Sequence, residues 1–155
     1  MISPELLRRY PFFAYLKDAQ LREVAMIAEE ESCEMGATLL KEGEAANTFY
    51  FLMEGSVDLY YTVKDEIHSR EQKEFPVGEI NPGEVFGISS MIEPFIYTST
   101  ARTSTACRLI KFEASALHGL CEKDRVFCFH FMSQVAKAAI ERLNATRVQL
   151  AAAWA

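Results

Sequence analysis

The apolar residues of the N-terminal segment, residues 1–31, recur at helical spacing. Ser3 followed by Pro4 is typical of a helix start, because serine caps free N–H groups and proline fits the first turn. The chain breaks at Tyr10–Pro11, and a further helix is predicted after Asp18 as its N-cap, ending in the acidic run EEES. The apolar positions of this further helix are Leu21, Val24, Ala25, Ile27 and Ala28.

From Cys33 onwards the pattern changes to short runs of β-type residues punctuated by glycine. TFYFLMEG and SVDLYYTV are predicted to be two strands that meet at Glu54–Gly55, where glycine permits the positive φ of a tight turn. NPGEVFG has the turn chemistry of Pro82–Gly83, KDEIHSREQKEF is predicted to be an exposed hairpin or loop, and TACRLIKF is the last clear strand. This spacing of turns predicts a compact antiparallel β-sandwich or barrel over residues 32–113.

Residues 114–155 return to helical texture, and a single long helix is predicted from near Asp124. Its first half, with Phe127 and Phe131, is apolar almost all round and suits packing on the β-unit. The later half carries a heptad stripe that suits a twin helix, so we expect a homodimer; the alternative is a helix packed only on its own domain. The predicted seam consists of Phe129, Met132, Ala136, Ala139, Leu143, Thr146 and Leu150.

Charge and composition narrow the class of protein. The chain has 155 residues, which suits one domain, and a net charge of -6, whereas a domain that grips DNA alone tends to be basic. No apolar run approaches a membrane span and the N-terminus lacks a signal peptide, so we expect a cytoplasmic protein without direct nucleic-acid or membrane contact. The four cysteines form no CxxC pair and are best explained as small buried hydrophobic residues: Cys33, Cys107, Cys121 and Cys128.

Two segments, GATLLKEGEAANTFYFLMEGSVDLYY and VGEINPGEVFG, closely resemble the cyclic-nucleotide-binding domain family. This is the sensor module of catabolite-activator-type regulators, protein kinase A regulatory subunits and cyclic-nucleotide-gated channels. The resemblance implies a mostly β, α+β fold in one domain over residues 1–155: an eight-stranded, jelly-roll-like β-roll with N-terminal helices and a long C-terminal helix. The glycines that fall where the family's roll turns are Gly36, Gly43, Gly55, Gly83 and Gly87.

In that family a phosphate cassette begins Phe-Gly-Glu, and a short helix then leads to an arginine before the next strand. The helix N-terminus and the arginine hold the cyclic phosphate, while the glutamate accepts from the ribose hydroxyl. Here the corresponding stretch is FGISSMIEPFIYTSTART, in which Ile88 stands at the glutamate position and, counted without a gap, Tyr97 at the arginine position. Arg102 lies five residues further on and is expected to be an ordinary solvated strand residue. We therefore expect cAMP and cGMP to bind weakly or not at all.

The cassette leaves two interpretations open. Its hydroxyl-rich residues line a neutral pocket for a small uncharged or weakly anionic metabolite, or Ile88 and Tyr97 fill the cavity with their own side chains. Arg142, Asn144 and Thr146 of the long helix are candidates to cap a ligand, since that helix caps the base in the family; the alternative is a solvated or seam-lining position. The candidate ligand-binding residues of the cassette are Phe86, Gly87, Ile88, Ser89, Ser90, Tyr97, Thr98 and Ser99.

Other site chemistry has little support in the sequence. His118, Cys121, Cys128 and His130 match no standard zinc spacing, so structural or surface histidines are expected rather than a metal or haem site. No Walker loop, GxSxG elbow or HExxH helix occurs in the sequence. We expect no enzyme, no metal and no cofactor beyond the cyclic nucleotide that the family implies.

The expected function is that of a non-enzymatic regulatory module, in which a ligand that prefers one arrangement of the flanking helices is read by an effector. Two alternatives remain open at this point. One is a ligand-free dimerisation or protein-interaction module. The other is the effector domain of a transcription regulator, since the chain ends at Ala155, about where a DNA-binding helix-turn-helix would begin.

Overall fold

The computed structural model of the chain describes residues 2–64 and 72–155. Three short helices precede eight strands, and two further helices follow them, which confirms the predicted fold class. The helices are α1 (Pro4–Arg8), α2 (Pro11–Ala14), α3 (Asp18–Met26), α4 (Ala114–Lys123) and α5 (Arg125–Ala153), with a 3₁₀ turn at Ile88–Met91. The strands are β1 (Ala28–Cys33), β2 (Thr38–Leu40), β3 (Thr48–Glu54), β4 (Val57–Lys64), β5 (Gln72–Ile80), β6 (Val85–Phe86), β7 (Thr100–Thr103) and β8 (Cys107–Glu113).

The strands form two four-stranded antiparallel sheets that face each other. One sheet has the order β1-β8-β3-β6 and the other β2-β7-β4-β5. Side chains alternate between the faces of a strand, so each strand contributes every second residue to the space between the sheets. The resulting interior is a closed apolar cluster formed by Leu40, Ala46, Tyr50, Leu52, Val57, Leu59, Ile80, Phe86, Tyr97, Ala101, Cys107 and Leu109.

A second core lies outside the roll, between the first sheet and the helices. Strand β3 serves both cores: Tyr50 and Leu52 face the interior, whereas Phe49 and Phe51 face the helices. Burial on both faces explains why TFYFLM is a continuous apolar run rather than an alternating one. The fully buried phenylalanines of this helical core are Phe13, Phe49, Phe51, Phe112 and Phe131.

The acidic run EEES is part of strand β1, so its prediction as the end of a helix was wrong. Helix α3 ends at Met26, and the roll begins at Ala28 instead of residue 32. The charges are compensated across the strand pair, since Lys111 of β8 lies 3.3 Å from Glu31 and 3.6 Å from Glu29. Cross-strand pairing of opposite charges stabilises a strand that local composition alone would not favour.

The turn at Gly55 joins the two sheets and is not a hairpin. Strands β3 and β4 lie in different sheets, so the tight turn predicted at Glu54–Gly55 connects strands that do not pair with each other. Gly55 has φ of 100°, and a Cβ there would lie 2.5 Å from the carbonyl oxygen of Ala106. Both the positive φ and this close approach require glycine at the crossing.

Side-chain caps fix the N-terminal ends of α1 and α5. The Ser3 hydroxyl accepts from the N–H of Leu6 and the Asp124 carboxylate accepts from the N–H of Phe127, as predicted. The start of α3 differs, because Lys17 is the capping residue and Asp18 is the first helical residue. The predicted loop KDEIHSREQKEF forms the ends of β4 and β5, and its residues 65–71 lie outside the described part of the chain.

Helix α5 has 29 residues, which corresponds to a length of about 43 Å. Its first half packs on the helical core through Phe127, Phe131 and Val135, while residues 143–155 are all exposed. Helix α4 precedes it and brings Leu117 into the same core. Among the described helices none is both long enough and apolar enough to cross a membrane.

Candidate functional site

The cassette frame is built at the end of β6, where Gly87 adopts a left-handed φ of 69°. A Cβ at this position would lie 2.8 Å from the carbonyl oxygen of Thr48, so glycine is required for the close approach of two backbone segments. The 3₁₀ turn follows directly, and the fully buried Ser90 hydroxyl donates to the Gly87 carbonyl at 2.7 Å. Ser90 therefore stabilises the turn, and its predicted contact with a ligand stays a prediction.

Tyr97, which a gapless count along the chain places at the family's arginine position, has its ring buried in the interior of the roll. Its hydroxyl donates to the Thr48 carbonyl at 2.7 Å and accepts from the Thr48 N–H at 3.0 Å. Burial raises the pKa of Tyr97, so the phenol is neutral at physiological pH. The Tyr97 ring thus fills the interior of the roll next to β3, and both hydrogen bonds of its hydroxyl go to the Thr48 backbone.

Two more aromatic rings complete the filling of the interior. Tyr50 and Phe86 stack with ring centroids 4.8 Å apart, and the Tyr50 hydroxyl donates to the Leu39 carbonyl at 3.2 Å. Burial raises the pKa of Tyr50 to about 12, because the phenolate would be poorly solvated there. Phe86 is therefore an interior packing residue.

Ile88 points away from the roll interior. It is half-buried and packs against the helical core, together with Met91 of the same turn. Of the two residues proposed to fill the cavity, only Tyr97 lies inside it. Ile88 instead anchors the cassette to the helices.

His118 of α4 holds the cassette from outside. Its Nε2 lies 2.9 Å from the Ser90 carbonyl oxygen, and its ring meets Phe95 edge to face at a centroid distance of 5.2 Å. The sequence indicated only a structural or surface histidine. Neither this tether nor the role of Thr48 as the partner of Tyr97 carries a sequence signal, since both depend on contacts between distant segments.

The remaining cassette residues lie at its rim. Ser89 and Ser99 are half-buried and Thr98 is exposed. Arg102 does not reach the cassette, because its guanidinium pairs with Glu74 at 3.1 Å and lies 4.9 Å from the centre of the Tyr60 ring. Whether any of these rim residues contacts a ligand stays a prediction.

The candidate caps from α5 separate into two groups. Arg142 reaches the roll, where its Nη2 donates to the carbonyl oxygen of Val85 at 2.7 Å. Burial lowers the pKa of Arg142, and the nearby Glu84 carboxylate opposes that shift. Asn144 and Thr146 are exposed, and the Thr146 hydroxyl donates to the Arg142 carbonyl within the helix.

A cleft of about 470 Å³ lies beside Arg142, between α5, α2 and the β5–β6 turn. No residue from Phe86 to Ser99 belongs to its lining, so it is separate from the cassette. Phe12, Val77 and Val85 give it apolar walls, and Lys137 and Glu141 stand at its α5 side.

The predicted seam of α5 is largely uncovered. Phe129, Leu143 and Leu150 are exposed by 69%, 48% and 59%. Met132 and Ala139 are half-buried, and a shallow groove runs along Phe129, Met132 and Ala136. Three further large apolar side chains of this helix are exposed and were not assigned to the seam, Val126, Ile140 and Val148, and Trp154 just beyond the helix end is exposed as well.

The comparisons with known proteins agree with this architecture. The family model described as the cyclic nucleotide-binding domain matches residues 30–124, more than half of the chain. The chain belongs to the cyclic nucleotide-binding domain family. The match spans the roll, the cassette and α4.

Among solved structures of the family, one from Geobacter metallireducens, provisionally described as a cyclic nucleotide-binding protein, is 38% identical. The match covers 92% of this chain and 99% of that one, with a TM-score of 0.80. The N-terminal domain of a transcriptional regulator from Streptomyces coelicolor is 26% identical over 88% and 93% of the two chains, with a TM-score of 0.67.

A curated relative from Rhodopseudomonas palustris, provisionally described as a potassium channel protein, is 19% identical over 124 residues. The match covers 80% of this chain and 28% of that relative, so the chain spans less than a third of its length. The structural relatives include regulatory domains, which agrees with the regulatory and signalling character of the family fold.

Proposed function

We propose that this chain is a non-enzymatic regulatory module whose roll does not take cAMP or cGMP in the usual way. The observation that carries the proposal is the buried position of Tyr97. Its ring fills the interior where the cyclic phosphate is held in the family, and its hydroxyl is engaged by both backbone groups of Thr48. A nucleotide would have to displace this ring before it could enter.

The missing anchors add to this cost. Ile88 offers no acceptor for a ribose hydroxyl, and Tyr97 brings no positive charge to a phosphate. A hydrogen bond to a charged group contributes about 1.5–3 kcal/mol, so losing two lowers affinity by a factor of about 10²–10⁴. A site of about 1 μM affinity would become a site of about 0.1–10 mM affinity.

We further propose that the module is a homodimer through α5. Support comes from the exposed stripe of Phe129, Leu143 and Leu150 and from the helix continuing beyond its own domain. An apolar stripe of this kind is stable in water when a second helix covers it. A shift of α5 relative to the roll is then the signal that an effector reads. The cytoplasmic location expected from the sequence stays a prediction.

Isothermal titration with cAMP and cGMP tests the roll. No saturation is expected for the wild-type chain up to about 0.1 mM nucleotide, because a dissociation constant of about 0.1–10 mM leaves the site at most about half occupied there. The variant Tyr97→Arg brings a positive charge into the roll and serves as the matched comparison; it is expected to bind more tightly than the wild type. Low-micromolar binding of either nucleotide to the wild type would overturn the proposal. It would instead favour cyclic nucleotide binding, the activity given in the provisional description of the Geobacter protein.

A second candidate is the effector domain of a transcription regulator. It is favoured by the 26% identity to the Streptomyces domain, which covers 93% of that chain. In this case DNA binding would be carried by sequence outside these 155 residues. Electrophoretic mobility shifts with the complete gene product test it: binding that is absent in the isolated 155-residue chain supports it, and no binding in either form rejects it.

A further inference from the structure

The cleft beneath α5 differs from the roll because it is open and contains a cation that is only partly satisfied. Arg142 uses Nη2 to donate to the Val85 carbonyl. A guanidinium carries five N–H donors, and no carboxylate of the described residues lies within ion-pair distance of this one. Its remaining donors therefore face the cleft, where they are available to an anion.

The orientation of the guanidinium is fixed from both ends. The Val85 carbonyl holds Nη2 at 2.7 Å, while the side chain is half-buried between α5 and β6. A fixed, partly desolvated arginine fork binds a planar carboxylate with two parallel hydrogen bonds, at little further loss of side-chain entropy. Arg142 is thus preorganised for a carboxylate.

The rest of the lining limits the charge of the ligand. Glu79, Glu84 and Glu141 also line the cleft, opposite only Lys137 and Arg142. The Glu84 carboxylate accepts from the Asn81 N–H at 2.8 Å, which holds it at the rim of the cleft. A ligand with two or more negative charges would meet net repulsion from these carboxylates, whereas a monoanion meets the guanidinium with less opposition.

The apolar walls define the other half of the ligand. Phe12 and Val85 are buried, and the Tyr15 ring lies beside them. The Tyr15 hydroxyl is itself buried near Cys121 and has no hydrogen-bond partner among the described residues, so only its ring serves the cleft. The volume of about 470 Å³ is within the range of about 300–1,000 Å³ that small-molecule sites occupy.

We propose that this cleft is a binding site for a small organic monocarboxylate with an apolar body. The carboxylate binds the free edge of the Arg142 guanidinium, and the apolar body packs between Phe12, Tyr15 and Ala138. The inference goes beyond the regulatory function proposed above and does not depend on whether the roll admits a nucleotide. Because the site joins α5 to α2 and β6, occupancy fixes the angle at which α5 leaves the domain.

Chemical-shift titration of the ¹⁵N-labelled chain tests the site with defined probes: phenylacetate and hexanoate, each beside its uncharged amide. The carboxylates are expected to produce saturable shifts at the cleft-lining residues and to bind at least about tenfold more tightly than the amides, since only they engage the guanidinium. No saturable shift from either carboxylate up to about 10 mM, where even fragment-like ligands register, overturns the proposal. Equal affinity of acid and amide overturns it as well.

Substitutions at Arg142 distinguish a residue that binds the ligand from one that only stabilises the fold. Arg142→Gln is expected to weaken phenylacetate about tenfold or more, and Arg142→Lys by less, because lysine keeps the charge and loses the fork. Arg147→Gln is the control, since Arg147 is an exposed arginine of the same helix that does not line the cleft. The Arg147→Gln variant is expected to bind phenylacetate with the same affinity as the wild type.

Glu84→Gln provides a readout that a purely structural arginine would not give. The substitution keeps an oxygen that accepts from the Asn81 N–H but removes the negative charge near Arg142. Phenylacetate is expected to bind about two- to fivefold more tightly to this variant. If Arg142→Gln fails to fold, Arg142→Lys and Glu84→Gln decide the matter, and wild-type affinity in both overturns the proposal.

Discussion

The interior of the roll and the cleft beneath α5 are two concave regions of one domain. Side chains fill the first, whereas the second is open. In the roll, Tyr50, Phe86 and Tyr97 pack as a closed core, and each buried hydroxyl has a backbone partner. In the cleft, Arg142 holds one backbone carbonyl and keeps further donors toward open space. The difference shows that the family frame does not by itself leave the roll open, because the glycine turn at Gly87 is present while the interior beside it is packed as a core.

The largest effect is expected from removing the Tyr97 ring from the interior of the roll, which tests whether that interior is a packed core. Tyr97→Ala is expected to lower the free energy of unfolding by about 3–5 kcal/mol, since it removes a buried aromatic ring and leaves a cavity. Tyr97→Phe keeps the ring and leaves the Thr48 backbone groups without their partner, at a cost of about 1–3 kcal/mol. Urea unfolding of the three proteins measures both values. A near-wild-type Tyr97→Ala would mean that the roll is an open pocket after all.

The rigidity of the cassette frame is tested by Gly87→Ala. We expect a loss of about 2 kcal/mol, because alanine resists the left-handed φ of 69° and its Cβ would press on the Thr48 carbonyl. Gly83→Ala is the matched control, since Gly83 also has positive φ but no atom lies within 4 Å of its added Cβ. That control should cost only the conformational strain, about 1 kcal/mol. Equal losses in thermal unfolding would show that the close approach at Gly87 is not constraining.

The helix that forms one wall of the cleft carries the predicted dimer seam on residues that do not line the cleft. Leu143→Glu is expected to weaken the dimer at least about tenfold, because it places a charge in an apolar seam. Val148→Glu introduces the same charge at an equally apolar, exposed position outside the seam and should leave the dimer intact. Sedimentation equilibrium compares the two. Dissociation of both variants, or of neither, contradicts the assigned seam.

The smallest effect is expected at Asp124, which caps the N-terminus of α5, the helix that forms one wall of the cleft. The pKa of Asp124 lies below its ordinary value of 3.8, because its carboxylate accepts from the Phe127 N–H and from the Gln20 amide. A lowered pKa in the folded state means that Asp124 adds stability above that ordinary value. This contribution is lost as the pH falls through the folded pKa. Asp124→Asn should therefore show a flatter loss of stability than the wild type in urea unfolding between about pH 5 and pH 2; parallel curves would reject this role.

Much of the fold could be predicted because it rests on local signals. Ser3, Asp124 and the glycines at Gly55 and Gly87 mark caps and turns through their own conformational preferences. Counting along the chain also predicted Tyr97 at the family's arginine position, and the structure places its ring inside the roll. The acidic run of β1 was misassigned, since Glu29 and Glu31 are compensated by Lys111, which lies far away in the sequence.

The sequence alone determined the family and the order of the helical and β segments, and it predicts that Ile88 and Tyr97 replace the usual anchoring side chains. Only the tertiary structure decided that Tyr97 turns into the roll while Ile88 turns toward the helices, because side-chain direction depends on how the cassette docks between two cores. It also decided that the Arg142 guanidinium donates to the Val85 carbonyl at the edge of the cleft. Contacts between residues so distant in the chain are set by packing, and a sequence pattern carries no record of them.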